Sequence, residues 1–229
     1  MTNFVQFETF AVTNIKKRNC SYTCLTDEIP SMKLKEIIFF RICQDGNSLY
    51  NACSRAFVGD ESMSICLRCL SIIELYLNAD YYASHTFFEN VGAKSGHQNV
   101  LKYGLPVQAL ESYISDNPIA AIRAEALCNA ENYKHGSFVC MLALSSVLRQ
   151  PIESYFPIAA AEHFSVNELL LNSLILPRLD LDLNSEVIHI FRCGATPINY
   201  LMSGNFSEDN NHYVPLLPSK MVSDESPHK

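Results

Sequence analysis

The stretch Asp45-Gly46-Asn47-Ser48-Leu49-Tyr50 decides the fold of this chain. Gly46 and Asn47 tolerate a positive φ, so the backbone can reverse tightly before Ser48. From Ser48 onward apolar residues recur at helical spacing until Gly59, which predicts a helix that begins directly after the turn. The first turn of a helix stabilises an anion. If the N–H groups of Gly46 and Asn47 point into a cleft, they can form an oxyanion hole.

A second motif, Asn211-His212-Tyr213, follows a polar loop near the end of the chain. It opens an apolar segment that is predicted to be a strand. A histidine in that place can face a cleft while its backbone is fixed in a sheet, and it can accept a proton from a nucleophile. The turn at 45–48 alone is explained at least as well by Ser48 acting as a helix N-cap. The late histidine is what favours a reactive site.

These two motifs, in this order, resemble the OTU (ovarian tumour) family of papain-like cysteine proteases. The resemblance extends to Leu67-Arg68, to Ala-Asp-Tyr-Tyr at 79–82, and to Leu-Ser-Ser-Val-Leu-Arg-Gln-Pro-Ile-Glu-Ser-Tyr-Phe-Pro at 144–157. These segments are similar to a metazoan, vertnin-like OTU subgroup, and the resemblance covers roughly residues 35 to 217. It implies an α+β, papain-type fold with a small β-sheet packed between helical regions. It also implies thiol-dependent deubiquitination, with ubiquitin or a ubiquitin-like protein as the partner.

The resemblance places Ser48 at the nucleophile position, where the family has a cysteine, and makes His212 the general base. A serine hydroxyl is much harder to ionise than a thiol, so we expect the chain to be inactive or nearly so as an isopeptidase. Two interpretations stay open. The serine was introduced by engineering, or the chain is a natural pseudoenzyme that acts as a ubiquitin-binding, protein-binding or vertnin-like transcription-regulatory module. Cys43 and Cys53 do not lie at the helix start and are not expected to replace Ser48.

The residue that would orient His212 is not decided by the sequence. Many OTU proteins have an Asp or Asn two residues after the histidine, where this chain has Val214. Asn210 and Asn211, the two residues before the histidine, are candidates. Asp45 is the third, unless it serves only the oxyanion turn.

Composition limits the possible partners and cofactors. The chain has 229 residues and a net charge of -7, which argues against nucleic acid as a direct ligand. It shows no signal peptide and no apolar run long enough to cross a membrane, so we expect a cytoplasmic or nuclear protein. The nine cysteines are an odd and scattered set, and Cys66-x-x-Cys69 lacks a second pair. We therefore expect no metal and no cofactor, and free buried cysteines that act as small hydrophobes.

Helical patterns fill the first part of the chain and most strand patterns lie in the last part, which favours an α+β fold. We expect a lead-in over residues 1–34, an OTU-like domain over 35–218 and a disordered tail over 219–229. The helix predicted at 63–77 is apolar nearly all round and should lie deep in the fold. Residues 85–104 lack periodicity and are interpreted as a loop or mobile arm, and residues 159–186 are left unassigned. The other expected elements are a strand or short element at 35–42, helices at 106–115, 119–130 and 138–149, and strands at 152–158, 187–193 and 213–217.

Overall fold

Seven α-helices, a 3-10 helix and five strands form the described part of the chain. The computed structural model describes residues 37–39, 42–43, 45–105, 117–131, 134–156, 166–179, 186–193 and 212–218. The helices are α1 Ser48–Val58, α2 Ser64–Leu77, α3 Ala79–Ala83, α4 Thr86–Ser95, the 3-10 helix Val100–Gly104, α5 Pro118–Asn129, α6 Phe138–Leu148 and α7 Val166–Leu171. The strands are β1 Ile37–Phe39, β2 Ile152–Tyr155, β3 Ser173–Ile175, β4 Ile188–Cys193 and β5 His212–Pro218. The α+β prediction is confirmed.

One five-stranded sheet has the order β1-β5-β4-β2-β3. Strands β2 and β4 run parallel, and the other neighbouring pairs run antiparallel. Ile190 of β4 lies opposite Pro215 of β5, and Cys193 lies opposite His212. Because His212 pairs with Cys193 of β4, the backbone at the predicted general base is fixed within the sheet.

Helix α6 passes through the centre of the core. All of its residues except Val147 are buried, and it packs against α2, while α1 packs against β5 and β4. The hydroxyls of Ser145 and Ser146 donate to the carbonyls of Gln150 (2.8 Å) and Leu142 (3.3 Å). These two polar groups can therefore be buried at little cost in a helix that has no charged residue.

The helix predicted at 63–77 is confirmed as α2, but the prediction that it lies deep in the fold is wrong. Leu67, Ser71 and Leu75 are buried, whereas Ile73 is 53% exposed and Leu77 is 71% exposed. The helix packs against α1, α5 and α6 on one side only, and a uniformly apolar pattern does not indicate which side is covered. We call its exposed side the outer face of α2, which consists of Ile65, Cys66, Cys69, Leu70, Ile73, Tyr76 and Leu77.

The interpretation of residues 85–104 as a loop or mobile arm is also wrong, because α4 and the 3-10 helix lie there. The imidazole Nδ1 of His85 accepts the N–H of Phe87 at 3.1 Å and so caps α4. Phe88 and Val91 are the buried contacts of this short helix. A histidine cap and two apolar anchors are too weak a pattern to reveal a helix from sequence.

Most of the remaining elements lie within two residues of the predicted bounds. These are α1, α5, α6, β4 and β5, and β2 matches as far as Tyr155. The unassigned segment 159–186 contains α7 and β3. The predicted helix at 106–115 lies outside the described residues, and the domain limits at 34 and 218 stay predictions. No helix of the described part of the chain is both long enough and apolar enough to span a membrane.

Candidate active site

The turn before α1 is held by the carboxylate of Asp45. Its Oδ1 accepts the backbone N–H of Asn47 at 2.8 Å and the Nδ2 of Asn51 at 3.1 Å, and its Oδ2 accepts the Nδ2 of Asn47 at 3.0 Å. Burial raises the pKa of Asp45, but these hydrogen bonds outweigh it and leave the pKa below its usual value. Gly46 takes the positive φ of 78° that the reversal requires. Asp45 thus stabilises the turn as a carboxylate.

The hydrogen bonds of Asp45 use an N–H group of the predicted oxyanion hole. The N–H of Asn47 is engaged by Asp45 and is not directed at a ligand. An oxyanion at Ser48 would instead meet the N–H groups of the first turn of α1, which helix geometry leaves without intrahelical acceptors. The assignment of Gly46 and Asn47 to an oxyanion hole stays a prediction.

The start of α1 and the start of β5 meet at the predicted nucleophile position. The backbone N–H of Tyr213 donates to Ser48 Oγ at 3.3 Å, which joins the two sequence motifs across 165 residues. Both Ser48 and His212 are buried, with 2% and 7% of their surface exposed. The structure therefore brings the two motifs into direct contact, while the catalytic roles of the two residues stay predictions. Asn210 lies outside the described residues.

A second histidine influences His212. Burial lowers the pKa of His212, and the nearby His135 lowers it further by charge repulsion. The imidazole of His212 is therefore neutral at neutral pH. His135 is exposed on the loop before α6. In the sequence it is one of several dispersed histidines, and no spacing pattern links it to His212.

Arg68 connects the turn before Ser48 to the loop that carries His135 through hydrogen bonds. Its Nη2 donates to the carbonyls of Gly46 (3.1 Å) and Lys134. Its Nη1 donates to the carbonyls of Asn129 (3.0 Å) and Glu131 (2.8 Å). A lysine could not satisfy four acceptors arranged in this way, whereas the planar guanidinium has five N–H donors. Arg68 thus holds two loops together beside Ser48.

The buried charge of Arg68 is compensated without a carboxylate bonded to it. The guanidinium lies over the ring of Tyr50, 4.8 Å from the ring centre. One of its acceptors, the carbonyl of Asn129, belongs to the last residue of α5, where the helix dipole is negative, and the carbonyl of Glu131 lies two residues beyond. The sequence indicates Arg68 only as part of the OTU resemblance and does not indicate its partners.

A buried carboxyl group, that of Glu125, and the guanidinium of Arg68 both hydrogen-bond to Asn129. Glu125 Oε1 accepts the Nδ2 of Asn129 at 2.6 Å and the thiol of Cys140 at 3.3 Å. The hydroxyl of Tyr50 donates to Asn129 Oδ1 at 3.2 Å. Burial raises the pKa of Glu125 to about 7, against the lowering effect of its hydrogen bonds. Glu125 is not among the residues predicted from the sequence, where its one signal is a charged residue in an apolar helix.

Gly136 allows the loop after His135 to pass close to α1. A Cβ at residue 136 would lie 2.6 Å from Leu49 Cδ2 and 3.3 Å from Leu49 Cβ. Leu49 is buried next to Ser48, so it has little room to move. We expect Gly136→Ala to lower the free energy of unfolding by about 1 to 2 kcal/mol in urea denaturation.

The matched control is Gly104→Ala, where the added Cβ would meet only ordinary contacts of 3.4 Å or more. This variant should stay within about 0.5 kcal/mol of the parent. Equal effects of the two substitutions would contradict the close approach of Gly136 to Leu49.

None of the cysteines that the structure describes lies at the start of α1. Cys53 is fully buried, and burial raises the pKa of its thiol to about 12, so it is unreactive. Cys53 and Cys140 match the prediction of buried free cysteines, whereas Cys43, Cys66 and Cys69 are exposed, and for them the prediction is wrong. Among the described residues no three potential metal ligands lie together.

The chain is similar to known proteins at the level of family and fold. The family model described as the OTU domain of vertnin matches residues 40–191. Two solved structures are similar: the OTU domain of OTUD1, and the viral OTU domain protease from Farallon virus. The first is 16% identical with a TM-score of 0.39, covering 79% of this chain and 85% of the other. The second is 15% identical with a TM-score of 0.40, covering 80% and 85%. No curated protein matches the chain.

Proposed function

Because this chain belongs to the family of vertnin OTU domains, we propose that it is a catalytically inactive relative of ubiquitin isopeptidases. In this proposal the site between α1 and β5 binds the C-terminal tail of ubiquitin or of a ubiquitin-like protein without cleaving it. Such binding would take place in the cytoplasm or the nucleus. The contact between Ser48 Oγ and the N–H of Tyr213 carries the proposal, because it joins the nucleophile position to the strand of His212.

Two features argue against turnover. In the parent reaction a thiolate attacks the isopeptide carbonyl carbon, and a histidinium then protonates the leaving lysine amine. Ser48 offers an alcohol, whose proton is much harder to remove than that of a thiol. Burial also lowers the pKa of His212, which makes it a weaker base. A weak base paired with a weak acid does not generate the nucleophile.

The test is to restore the thiol. We expect Ser48→Cys to react with a ubiquitin probe that carries a C-terminal electrophile, since the first turn of α1 would then stabilise a thiolate and a neutral His212 can accept the thiol proton. The parent chain and Ser48→Ala should not be labelled at residue 48. Adding His212→Ala to Ser48→Cys should slow labelling by about 100-fold or more.

Labelling is read by mass mapping, because Cys43, Cys66 and Cys69 are also exposed. Binding of unmodified ubiquitin to the parent chain is measured by calorimetry. The proposal fails if folded Ser48→Cys is neither labelled nor active on ubiquitin chains, or if the parent chain itself hydrolyses them.

The vertnin match favours a second candidate function, a protein-binding module within a transcription-regulatory protein. Such a module would bind its partner equally well in the parent and in His212→Ala, and it would not require ubiquitin. A serine codon at position 48 of the natural gene supports a natural pseudoenzyme, whereas a cysteine codon there means that the serine was introduced by engineering.

A further inference from the structure

The loop before α6 is fixed on both sides of His135. On one side the carbonyl of Lys134 accepts a hydrogen bond from Arg68, which also bonds the turn before α1. On the other side Gly136 lies so close to Leu49 that a Cβ on the glycine would be 2.6 Å from Leu49 Cδ2. His135 itself is exposed. The fold therefore presents an imidazole to solvent beside the start of α1 and holds its backbone in place.

The second imidazole of the site belongs to His212. The N–H of Tyr213 donates to Ser48 Oγ at 3.3 Å, so the start of β5 meets the same end of α1. The two imidazoles are close enough for a charge on His135 to lower the pKa of His212. Two groups that can each become positive are thus held near each other, and both would be stabilised by an anion between them.

The carboxylates near these rings already have partners. The oxygens of Asp45 accept three N–H groups of the turn and of α1. Glu131 pairs with Lys134 at 3.5 Å, in the same loop as His135. Burial and His135 cause the lowered pKa of His212, and no carboxylate of the described residues is among the causes. Within the described part of the chain, neither carboxylate therefore compensates a charge on His212.

Two guanidinium groups lie on neighbouring elements. Arg68 of α2 donates to four backbone carbonyls, one of them in the turn before Ser48. Arg192 of β4 lies over the ring of Tyr213, which points away from His212 because neighbours in a strand face opposite sides of the sheet. Arg68 therefore adds positive charge on the side of the candidate site, whereas Arg192 lies on the other side of the sheet.

We propose that His135 and His212 together bind the free C-terminal carboxylate of ubiquitin or of a ubiquitin-like protein. This inference rests on the proposed function and makes the site selective for an unconjugated tail. In a conjugate the terminal carbonyl belongs to an amide, which carries no charge. Each imidazole donates an N–H to the carboxylate, and such charge-assisted hydrogen bonds are stronger than neutral ones. The carboxylate also offsets the repulsion between the rings, so the complex holds protons more readily than the free chain.

The first test compares two ligands by calorimetry, ubiquitin with its free carboxylate and ubiquitin whose C-terminus is a carboxamide. The parent chain should bind the free form about tenfold more tightly, since a hydrogen bond to a charged group is lost in the other. His135→Gln, which keeps a polar side chain that does not ionise, should reduce this preference to about twofold or less. The matched control is His97→Gln, at an exposed histidine after α4, which should keep the full preference.

The second test follows the protonation of His212 by NMR, with the imidazole signal assigned by its loss in His212→Ala. Without ligand, His135→Gln should raise the pKa of His212, because the repulsion is removed. Ubiquitin with a free carboxylate should raise it in the parent chain, and the carboxamide should not. Binding of the free form alone should therefore tighten several-fold as the pH falls from about 7.5 to about 6.

The outcomes separate this inference from the proposed function. Equal affinity for the two forms, with Ser48→Cys still labelled by the ubiquitin probe, would overturn the inference and leave the proposed function intact. No binding of either form, with Ser48→Cys unlabelled, would overturn both. An unchanged preference in His135→Gln would exclude His135 from the site. If excess acetate raises the pKa of His212 and ubiquitin does not, the site takes a small carboxylate, and the assignment to a protein tail is wrong.

Discussion

Replacing Arg68 with alanine is expected to lower the free energy of unfolding by about 4 kcal/mol, because a buried cation that serves several acceptors at once is lost. The guanidinium is the common donor to four backbone carbonyls, including those of Gly46 and Lys134. Its loss leaves these buried and partly buried acceptors without their partner and opens a gap over Tyr50. Urea denaturation followed by circular dichroism measures the change.

Two further variants show whether the loss of stability comes from the hydrogen bonds of Arg68 or from the removal of any arginine. Arg68→Lys keeps the charge but not the planar set of donors, so it should recover only part of the stability. Arg123→Ala removes an exposed arginine that stacks on Tyr76, and it should cost no more than about 1 kcal/mol. If Arg68→Ala is as mild as Arg123→Ala, the two loops do not depend on Arg68.

The second large effect is a loss of stability as the pH rises, caused by Glu125. Its pKa in the folded protein is about 7, above the ordinary value of 4.5. A raised folded pKa means that the contribution is fully present below pH 4.5 and is lost as the pH rises through 7. The difference between these two pKa values corresponds to a change of about 3 kcal/mol in the free energy of unfolding between the acidic and the alkaline limits. Urea denaturation at closely spaced pH values should show the decline.

Glu125→Gln isolates this contribution, because it has the same shape and does not ionise. The difference in unfolding free energy between the parent and Glu125→Gln should change with pH over this window, in the direction of a less stable parent at high pH. Glu131→Gln, at an exposed position close by, is the control for the loss of one carboxylate. The loss of stability that His212 causes at acid pH is the same in both chains and cancels. A pH-independent difference would mean that Glu125 ionises normally.

The sequence predicts those parts of the site that are local along the chain. The turn at 45–47 follows from the positive φ that Gly46 adopts, whereas Asn47 has an ordinary φ of -95°, and Gly59 ends α1 with a φ of 90°. The strand that begins at His212 follows from its apolar pattern. These features depend on neighbouring residues, and sequence patterns report neighbours well.

The rest of the site depends on contacts between distant segments. The acceptors of Arg68 are backbone carbonyls, which every residue has, so no side-chain pattern reveals them. The influence of His135 on His212 likewise arises only when the loop before α6 reaches the start of β5. The exposure of α2 escapes prediction for a related reason. The hydrophobicity of a side chain measures its preference for burial. It does not show whether another element of the fold packs over that side chain.

The pairing of β1 with β5 determines how the domain responds to tension. Ile37 lies opposite Pro218 in an antiparallel pair, so the chain enters β1 and leaves β5 at the same end. A pulling force on the two flanks would act across the strands and peel β1 away one hydrogen bond at a time, because inter-strand bonds in such a pair lie perpendicular to the strands. His212 is at the far end of β5, beyond the last residue that pairs with β1. Peeling of β1 would therefore end before it reached the candidate site.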